Sequence, residues 1–376
     1  MKKYIVIGLI VIGLIVLVGL ALLIGPLMNG GGEIPESGGS GSNGTQLTTQ
    51  LPATFNFKAQ GNPATVYQTT SDFGITLHQK DIALLEVIFD GEVIQSYKNP
   101  KSNLKFQLTS DKIGTYSFEL VATLKDGAVV ADSRSLRIVS DVQPKMMQAN
   151  IVASYKHDVE SFTQGLEFNG KNLYEGTGLY GKSQVRQVNL LTGEVIRKIQ
   201  LDGTYFGEGI TFLNNQIYQL TWQKGRCFTY DYSAPDHFTL KSDFSYIGEG
   251  WGLCNDGTEL IMSDGTEFIV FRNPETFQET RKIQVYNDRG PINLLNELEY
   301  IDGKIYANVY QTNIIIAIDP ATGRVLEQIN CDQLIKEGQG SGDVLNGIAQ
   351  DPSGKIYMTG KNWPKLFEVS FSETLP

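Results

Sequence analysis

Cysteine, histidine and positive charge are all scarce in this chain of 376 residues. Its three cysteines, Cys227, Cys254 and Cys331, are too few and too scattered for a disulfide framework or a structural zinc site. Its three histidines form no HExxH motif or other clustered ligand spacing. The net charge of −10 disfavours a nucleic-acid partner, which would need a basic face. We therefore expect no metal, no cofactor and no nucleic-acid partner.

The first 46 residues lack the pattern of a folded domain. Residues 5–28 carry no charged side chain and are long enough to cross a bilayer. Lys2 and Lys3 are the only basic residues before Lys58, so the positive-inside rule places the rest of the chain outside the cytoplasm. Residues 29–46 are rich in Gly and Ser and predict an unpacked tether. We predict an uncleaved transmembrane helix within residues 1–28; the alternative is a signal peptide whose cleavage releases a secreted protein.

Short runs of alternating apolar and polar residues occupy residues 47–144, for example TFNFKA, LKFQLTS and GTYSFELVATL. Tyr116, Phe118 and Leu120 share one strand face, and an acid–glycine turn follows at residues 126–127. Roughly ninety residues of this pattern predict an immunoglobulin-like β-sandwich. The segment contains no cluster of catalytic residues, so we interpret it as a spacer or adhesion module.

Residues 145–376 contain one pattern five times. The segments begin TQGLEFNG, GEGITFLN, GWGLCNDG, LNELEYID and LNGIAQDP, and each continues through a turn into a second apolar strand. Their second residues lie 43 to 50 positions apart and are Gln164, Glu208, Trp251, Asn296 and Asn346. Several short strands in each period of about 40–50 residues are typical of propeller blades. The sequence therefore predicts an all-β chain that ends in a five-bladed β-propeller.

Equivalent positions of propeller blades meet near the central axis, so these five side chains should ring one mouth of the channel. A second equivalent position, fourteen residues further on, holds Gly178, Trp222, Gly265 and Tyr310, and also Lys361 when a longer turn is allowed for. Any one of these residues could simply cap a strand end. Their convergence instead predicts a pocket with aromatic walls, carboxamides, one ammonium and one carboxylate, the last suited to acid–base chemistry.

The motifs HDVESFTQGLEF, YFGEGITF, EGWGL, LNELEY, IYANVYQT and TGKNWPKLFEV follow one another between about residues 150 and 371. In these motifs the chain resembles the plant-type glutaminyl-peptide cyclotransferases, also called glutaminyl cyclases. The resemblance implies a five-bladed propeller and a metal-independent acyltransferase without a cofactor. Such an enzyme converts the N-terminal glutamine of peptides or proteins to pyroglutamate and releases ammonia.

The resemblance also implies roles for individual residues. Glu208 of FGEG matches the catalytic acid–base of the family, and Asn296 and Lys361 match residues of the family's pocket. The family usually has tryptophan where IYANVYQT has Tyr310, which keeps an aromatic wall and adds a hydroxyl. Together with the repeat, this predicts Glu208, Asn296 and Lys361 as catalytic residues. The predicted substrate-binding residues are Phe162, Gln164, Phe206, Trp222, Trp251, Tyr310 and Asn346.

Two other functions fit parts of the pattern. A non-catalytic propeller on a cell-surface stalk would need only the fold. A metal-dependent propeller lactonase would place several acidic and amide side chains around an axial cation, and Lys361 in the same pocket opposes a cation there.

The N-terminal segment generates a first prediction. The full chain should fractionate with membranes, because residues 5–28 are apolar throughout and are preceded by two lysines. Protease added to intact cells should release a soluble fragment by cutting within residues 29–46, as detected by immunoblotting. Protection of the larger domain from that protease would contradict the predicted topology.

Overall fold

The computed structural model describes residues 51, 53–56, 64–67, 70–234 and 237–374. Within these ranges the chain is all-β, as the alternating pattern predicts, with one short helix. The predicted anchor and tether, residues 1–46, lie outside the described residues. Among the described residues, no helix has both the length and the apolar character needed to cross a membrane.

Eight strands lie before residue 140 in the part of the chain that the structure describes. They are β1 (Ala53–Asn56), β2 (Ala64–Tyr67), β3 (Thr70–Leu77), β4 (Ile82–Phe89), β5 (Glu92–Lys98), β6 (Asn103–Thr109), β7 (Gly114–Leu124) and β8 (Val129–Val139). One sheet has the order β1-β3-β6 and the other the order β2-β8-β7-β4-β5. Leu85, Phe118 and Leu120 belong to one apolar core, to which side chains of both sheets contribute. Burial of this shared core provides the main stabilisation of the segment.

The remaining strands begin with a long one, β9 (Lys145–Lys156), and continue as five consecutive sets. The sets are β10 (Thr163–Asn169), β11 (Asn172–Thr177), β12 (Gln184–Val188) and β13 (Val195–Gln200); β14 (Gly207–Leu213), β15 (Gln216–Thr221), β16 (Arg226–Ala234) and β17 (His237–Ser245); β18 (Leu253–Asn255), β19 (Leu260–Ser263), β20 (Phe268–Arg272) and β21 (Glu279–Gln284); β22 (Leu295–Ile301), β23 (Lys304–Val309), β24 (Ile314–Ile318) and β25 (Val325–Asn330); and β26 (Leu345–Gln350), β27 (Ile356–Gly360) and β28 (Lys365–Glu373). Within each set, neighbouring strands pair antiparallel in chain order. These sets coincide with the five sequence repeats.

The first strands of the five sets form a closed circuit. β10 contacts β14, β14 contacts β18, β18 contacts β22, β22 contacts β26, and β26 contacts β10 again. Glycines permit the close approach at two of these junctions. A Cβ on Gly209 would lie 2.5 Å from the backbone nitrogen of Leu253, and one on Gly252 would overlap the carbonyl of Asn296. The starts of the five strands are therefore held side by side.

Strand β9 supplies the fourth strand of the last set. It pairs antiparallel with β28 along most of its length, and its first residues pair in parallel with β25. The two ends of this region are thus joined by hydrogen bonds. The one helix among the described residues, α1 (Asp332–Gly338), lies between β25 and β26 and was not indicated by the repeat pattern.

Polar contacts fix the first eight strands against the five sets. The backbone N–H of Thr115 donates to Oε1 of Gln284 at 2.8 Å, and its hydroxyl lies 2.7 Å from the hydroxyl of Tyr286. Nε of Arg324 donates to the carboxylate of Asp141 at 2.6 Å. The side chains of Arg324 and Asp141 are only 12% and 39% exposed, so this ion pair is partly shielded from water.

Buried carboxylates connect the inner strands. The two oxygens of Glu297, which is 1% exposed, accept the backbone N–H groups of Leu166 at 3.0 Å and Ile348 at 2.8 Å. Glu299 likewise accepts the N–H of Gln350 at 2.9 Å. A buried backbone N–H needs a partner, and these side chains provide one for inner strands that do not pair with each other in a sheet.

We expect Glu297→Ala to destabilise the protein strongly, because it leaves two buried N–H groups without an acceptor. Each such loss costs about 1–3 kcal/mol of unfolding free energy. Urea denaturation monitored by circular dichroism measures the change. Glu275→Ala, at an exposed turn residue, is the matched control. Equal midpoints for the two variants would show that the two hydrogen bonds contribute nothing to stability.

Candidate active site

The five polar or aromatic residues at the starts of the inner strands converge as the repeat predicts. The four polar members are buried: Gln164 is 3% exposed, Glu208 4%, Asn296 3% and Asn346 0%. Adjacent starts are joined directly, since Nδ2 of Asn346 donates to the Thr163 carbonyl at 2.9 Å and to Oε1 of Gln164 at 3.3 Å. These side chains form the floor of a site.

Glu208 is a buried carboxyl with two charged neighbours. Burial raises its pKa well above the usual range, the positive charge of Lys361 opposes that shift, and the negative charge of Glu249 adds to it. The pKa of Lys361 responds in the opposite direction: burial lowers it to about 8, and Glu208 opposes the shift. An acid and an amine are therefore brought together with pKa values displaced toward neutrality.

Aromatic rings surround the ammonium group of Lys361. Its Nζ lies 4.7 Å from the ring centroid of Phe162 and 5.1 Å from that of Tyr310. Cation–π attraction at these distances stabilises the charged form in a place that water cannot fully reach. Lys361 is only 3% exposed, so the rings replace much of its hydration.

The aromatic residues form the walls above the polar floor. Phe206 makes edge contacts with Phe162 at 6.1 Å and with Trp222 at 5.6 Å, and Trp251 makes one with Tyr310 at 5.5 Å. All five rings are partly exposed, in contrast to the polar residues below them. The structure therefore brings together all ten predicted site residues.

The two glycines at the second repeat position have a spatial role. A Cβ on Gly178 would lie 2.5 Å from the ring of Phe206, and one on Gly265 would lie 2.7 Å from the ring of Trp251. Only glycine fits at these two positions, because the ring of a neighbouring aromatic residue occupies the space that a Cβ would need.

Two amide oxygens in the floor have no hydrogen-bond partner among the described residues. They are Oδ1 of Asn296 and Oδ1 of Asn346, both buried. Buried polar atoms are nearly always paired, so such atoms in a pocket are available to a ligand. Each oxygen can accept an N–H group of a ligand. The amide of Asn346 is held in this orientation because its Nδ2 donates to the Thr163 carbonyl, whereas the amide of Asn296 can turn over and present its NH₂ group instead.

A buried network that the sequence did not indicate supports one side of the site. Oε1 of Glu175 accepts the hydroxyls of Ser161 and Thr163, the residues on either side of Phe162, and Oε2 accepts Nε and Nη2 of Arg186. Burial alone would raise the pKa of Glu175, but the charges of Arg186 and His157 hold it well below its usual range. The network fixes the backbone that carries Phe162.

His157 links this network to the segment that carries Lys361. Its Nε2 lies 3.1 Å from Oε1 of Glu175 and its Nδ1 lies 2.7 Å from the carbonyl oxygen of Trp363. Both partners are acceptors, so both ring nitrogens must carry protons. Burial alone would lower the pKa of His157, but the charge and hydrogen bond of Glu175 raise it.

Glu249 is a further residue of the site that sequence reasoning missed. One of its oxygens accepts the indole N–H groups of both Trp222 and Trp251. The signal for it was a second GEG, residues 248–250, which repeats the glycine–acid–glycine pattern around Glu208.

As for metals, no cluster of three or more His, Cys, Asp or Glu side chains with suitable geometry occurs among the described residues.

Comparison with known proteins identifies the class to which this site belongs. Residues 121–371 match the family model described as glutamine cyclotransferase. The match begins within β7, before the start near residue 150 that the motifs indicated. It spans well over half of the chain, so the chain belongs to the glutamine cyclotransferase family.

Two relatives support the assignment. A glutaminyl-peptide cyclotransferase of Arabidopsis thaliana is 40% identical over 240 residues, which cover 62% of this chain and 74% of that protein. A solved structure, the glutaminyl cyclase of Myxococcus xanthus, is 36% identical with a TM-score of 0.58, covering 62% of this chain and 100% of that one. The activity is that of a glutaminyl-peptide cyclotransferase, an acyltransferase, as the motifs implied, and not that of a non-catalytic binding propeller.

The displaced pKa values generate a prediction about pH. We expect kcat/KM to rise with pH as Glu208 loses its proton and to fall above about pH 8 as Lys361 loses its own. Lys361→Arg remains charged throughout this range, and Lys361→Met cannot titrate, so the alkaline decrease should vanish in both variants. Steady-state ammonia release between pH 5 and 10 measures the profiles. An unchanged alkaline limb in both variants would assign it to another group.

Proposed function

We propose that this chain cyclises the N-terminal glutamine of peptides and proteins, with Glu208 as the general acid–base. The observation that carries the proposal is the position of Glu208: a buried carboxyl at the convergence of five inner strands, with the ammonium of Lys361 as its electrostatic partner. Its raised pKa suits proton exchange with a substrate amine whose own pKa is about 8.

The proton inventory of the reaction matches this single group. The neutral α-amine attacks the carbon of the glutamine side-chain amide, and Glu208 in its ionised form takes one proton from the attacking nitrogen. A carbon–nitrogen bond forms and a tetrahedral intermediate results. When the bond to the amide nitrogen breaks, Glu208 returns the proton to that nitrogen and ammonia leaves. No net proton is gained or lost by the enzyme.

Lys361 and Asn296 are proposed to stabilise the oxyanion of the intermediate. Donors that already point at developing charge, in a pocket with little water, usually contribute the largest share of catalysis. The ammonium of Lys361 lies against two rings. The unpaired atom of Asn296 is its amide oxygen, so its NH₂ group donates to the oxyanion once the amide is turned over.

The aromatic walls and the remaining amides are proposed to bind the substrate. Ring closure needs the amine and the side-chain carbon of one flexible residue to approach each other, which is entropically unfavourable in water. Walls formed by Phe162, Phe206, Trp222, Trp251 and Tyr310 restrict that residue to compact conformers. Gln164 and Asn346 lie in the floor, where they can hydrogen bond to the backbone of the substrate.

We also propose the finer architecture predicted from the sequence. The closed circuit of inner strands and the antiparallel order within each set support a five-bladed β-propeller at residues 145–376. The two sheets around one core support an immunoglobulin-like sandwich at residues 47–144. The apolar residues 5–28 support a membrane anchor, with residues 29–46 as linker and the catalytic domain outside the cytoplasm, or secretion after cleavage.

Glu208→Gln tests the proposed role of the carboxyl. The amide keeps the size of the side chain but cannot accept the proton, and a general acid–base typically contributes about 10²–10⁴-fold, so kcat should fall by at least that factor. KM should change far less because the aromatic walls that bind the substrate remain.

Lys361→Met should lower kcat by about 10²-fold if the ammonium acts only on the oxyanion.

Initial rates with a Gln-initiated dipeptide provide the measurement, on protein whose thermal midpoint is unchanged. Glu160→Gln, at an exposed acid on the loop before β10, is the control. Near-normal turnover of Glu208→Gln would remove Glu208 from the mechanism.

A further inference from the structure

One carboxylate oxygen joins two walls of the pocket. Oε2 of Glu249 accepts the indole N–H of Trp222 at 2.7 Å and the indole N–H of Trp251 at 3.0 Å, while Oε1 accepts Nε2 of Gln223 at 3.1 Å. Trp222 follows β15 of the second set, and Trp251 precedes β18 of the third. The carboxylate therefore bridges two sets at the mouth of the site.

Both tryptophans are only partly buried, so part of each side chain borders solvent. A hydrogen bond to an ionised acceptor is about twice as strong as one between neutral groups and has a defined direction. Two such bonds to the same oxygen restrict the angle between the two ring planes as well as the position of each.

We propose that Glu249 is a positioning residue of the active site, which holds the Trp222 and Trp251 indoles in the arrangement that receives the substrate glutamine. The inference rests on the proposed function of the pocket. It does not require that Glu208 be the base, because the two indoles contact the substrate whichever group moves the proton.

The charge of Glu249 has a second, separable effect. Burial raises the pKa of Glu249, but hydrogen bonds from Trp251, Gln223 and Trp222 outweigh it, so the group stays ionised. Its negative charge then adds to the burial that raises the pKa of Glu208. Neutralising Glu249 should therefore let Glu208 lose its proton at a lower pH.

Three variants separate geometry from charge. Glu249→Ala removes the acceptor and the charge, whereas Glu249→Gln removes the charge but keeps one oxygen that can accept the indole N–H groups. Glu160→Ala, at an exposed acid whose 3.9 Å ion pair with Lys182 is solvent-exposed, is the matched control. KM, kcat and the pH dependence of kcat/KM are measured for each with a Gln-initiated dipeptide, and tryptophan near-ultraviolet circular dichroism reports ring order without turnover.

We expect Glu249→Ala to raise KM about tenfold or more, with a smaller change in kcat, and to weaken the tryptophan dichroism. Glu249→Gln should recover most of the KM effect. Both variants should move the acid limb of the profile to lower pH. The amine of the substrate titrates identically with every variant, so this difference reports a group of the enzyme.

A KM for Glu249→Ala within twofold of the parent, or equal to that of Glu160→Ala, overturns the proposal; so does unchanged tryptophan dichroism. If Glu208→Gln retains turnover while Glu249→Ala still raises KM and weakens the dichroism, the positioning role stands and only the role of Glu208 fails. A variant that unfolds is recognised by its thermal midpoint, and Glu249→Gln then provides the comparison. A neutral acceptor binds the indole N–H groups less strongly, so a KM and a tryptophan dichroism that both equal those of the parent overturn the positioning role. An acid limb that does not move contradicts only the separate effect of charge.

Discussion

The site depends on one constraint: a carboxyl and an amine are buried together in a pocket that excludes most water. Glu208 and Lys361 are 4% and 3% exposed. Burial disfavours the charged form of each, so it raises the pKa of the acid and lowers that of the amine, and their mutual attraction only partly reverses these shifts. The raised pKa makes Glu208 a better proton acceptor than an exposed carboxylate, and the lowered pKa of Lys361 makes its ammonium a better proton donor, as suits acid–base chemistry on a peptide amine.

Such a pair stays shielded from water only if the chain segments around it are held in place, and the buried ion network of Glu175 and His157 holds two of them. The Glu175 carboxylate holds the segment that bears Phe162, and the protonated His157 ties that segment to the carbonyl of Trp363, two residues beyond Lys361. A buried ion pair costs desolvation and is weak evidence for stability by itself. Here it joins two chain segments whose side chains must meet, so its contribution lies in positioning.

The sequence predicted the floor of the site well because the repeat reports spatial equivalence. Residues at one position of five similar segments must meet where those segments meet, and Gln164 and Asn346 do, since Nδ2 of Asn346 lies 3.3 Å from Oε1 of Gln164. Glu249 was missed because it stands, within its GEG motif, two residues before the repeat position held by Trp251, so the alignment of the five segments does not mark it. Glu297 was missed although it stands at a repeat position. The other four segments have glycine there, which suggested only a close approach of the backbone. In segment four the carboxylate of Glu297 fills that space and accepts backbone N–H groups of two other inner strands. Helix α1 replaces no repeated element and left no periodic signal.

Tyr310 shows how a departure from the family pattern is accommodated. Its ring contacts the edge of Trp251 and lies 5.1 Å from Nζ of Lys361, so the aromatic face serves both the wall and the ammonium. The face of tyrosine attracts a cation less strongly than that of tryptophan. An indole at this position would hold the charged form of Lys361 more strongly. The ring at position 310 therefore acts on the group proposed to stabilise the oxyanion as well as on the wall of the pocket.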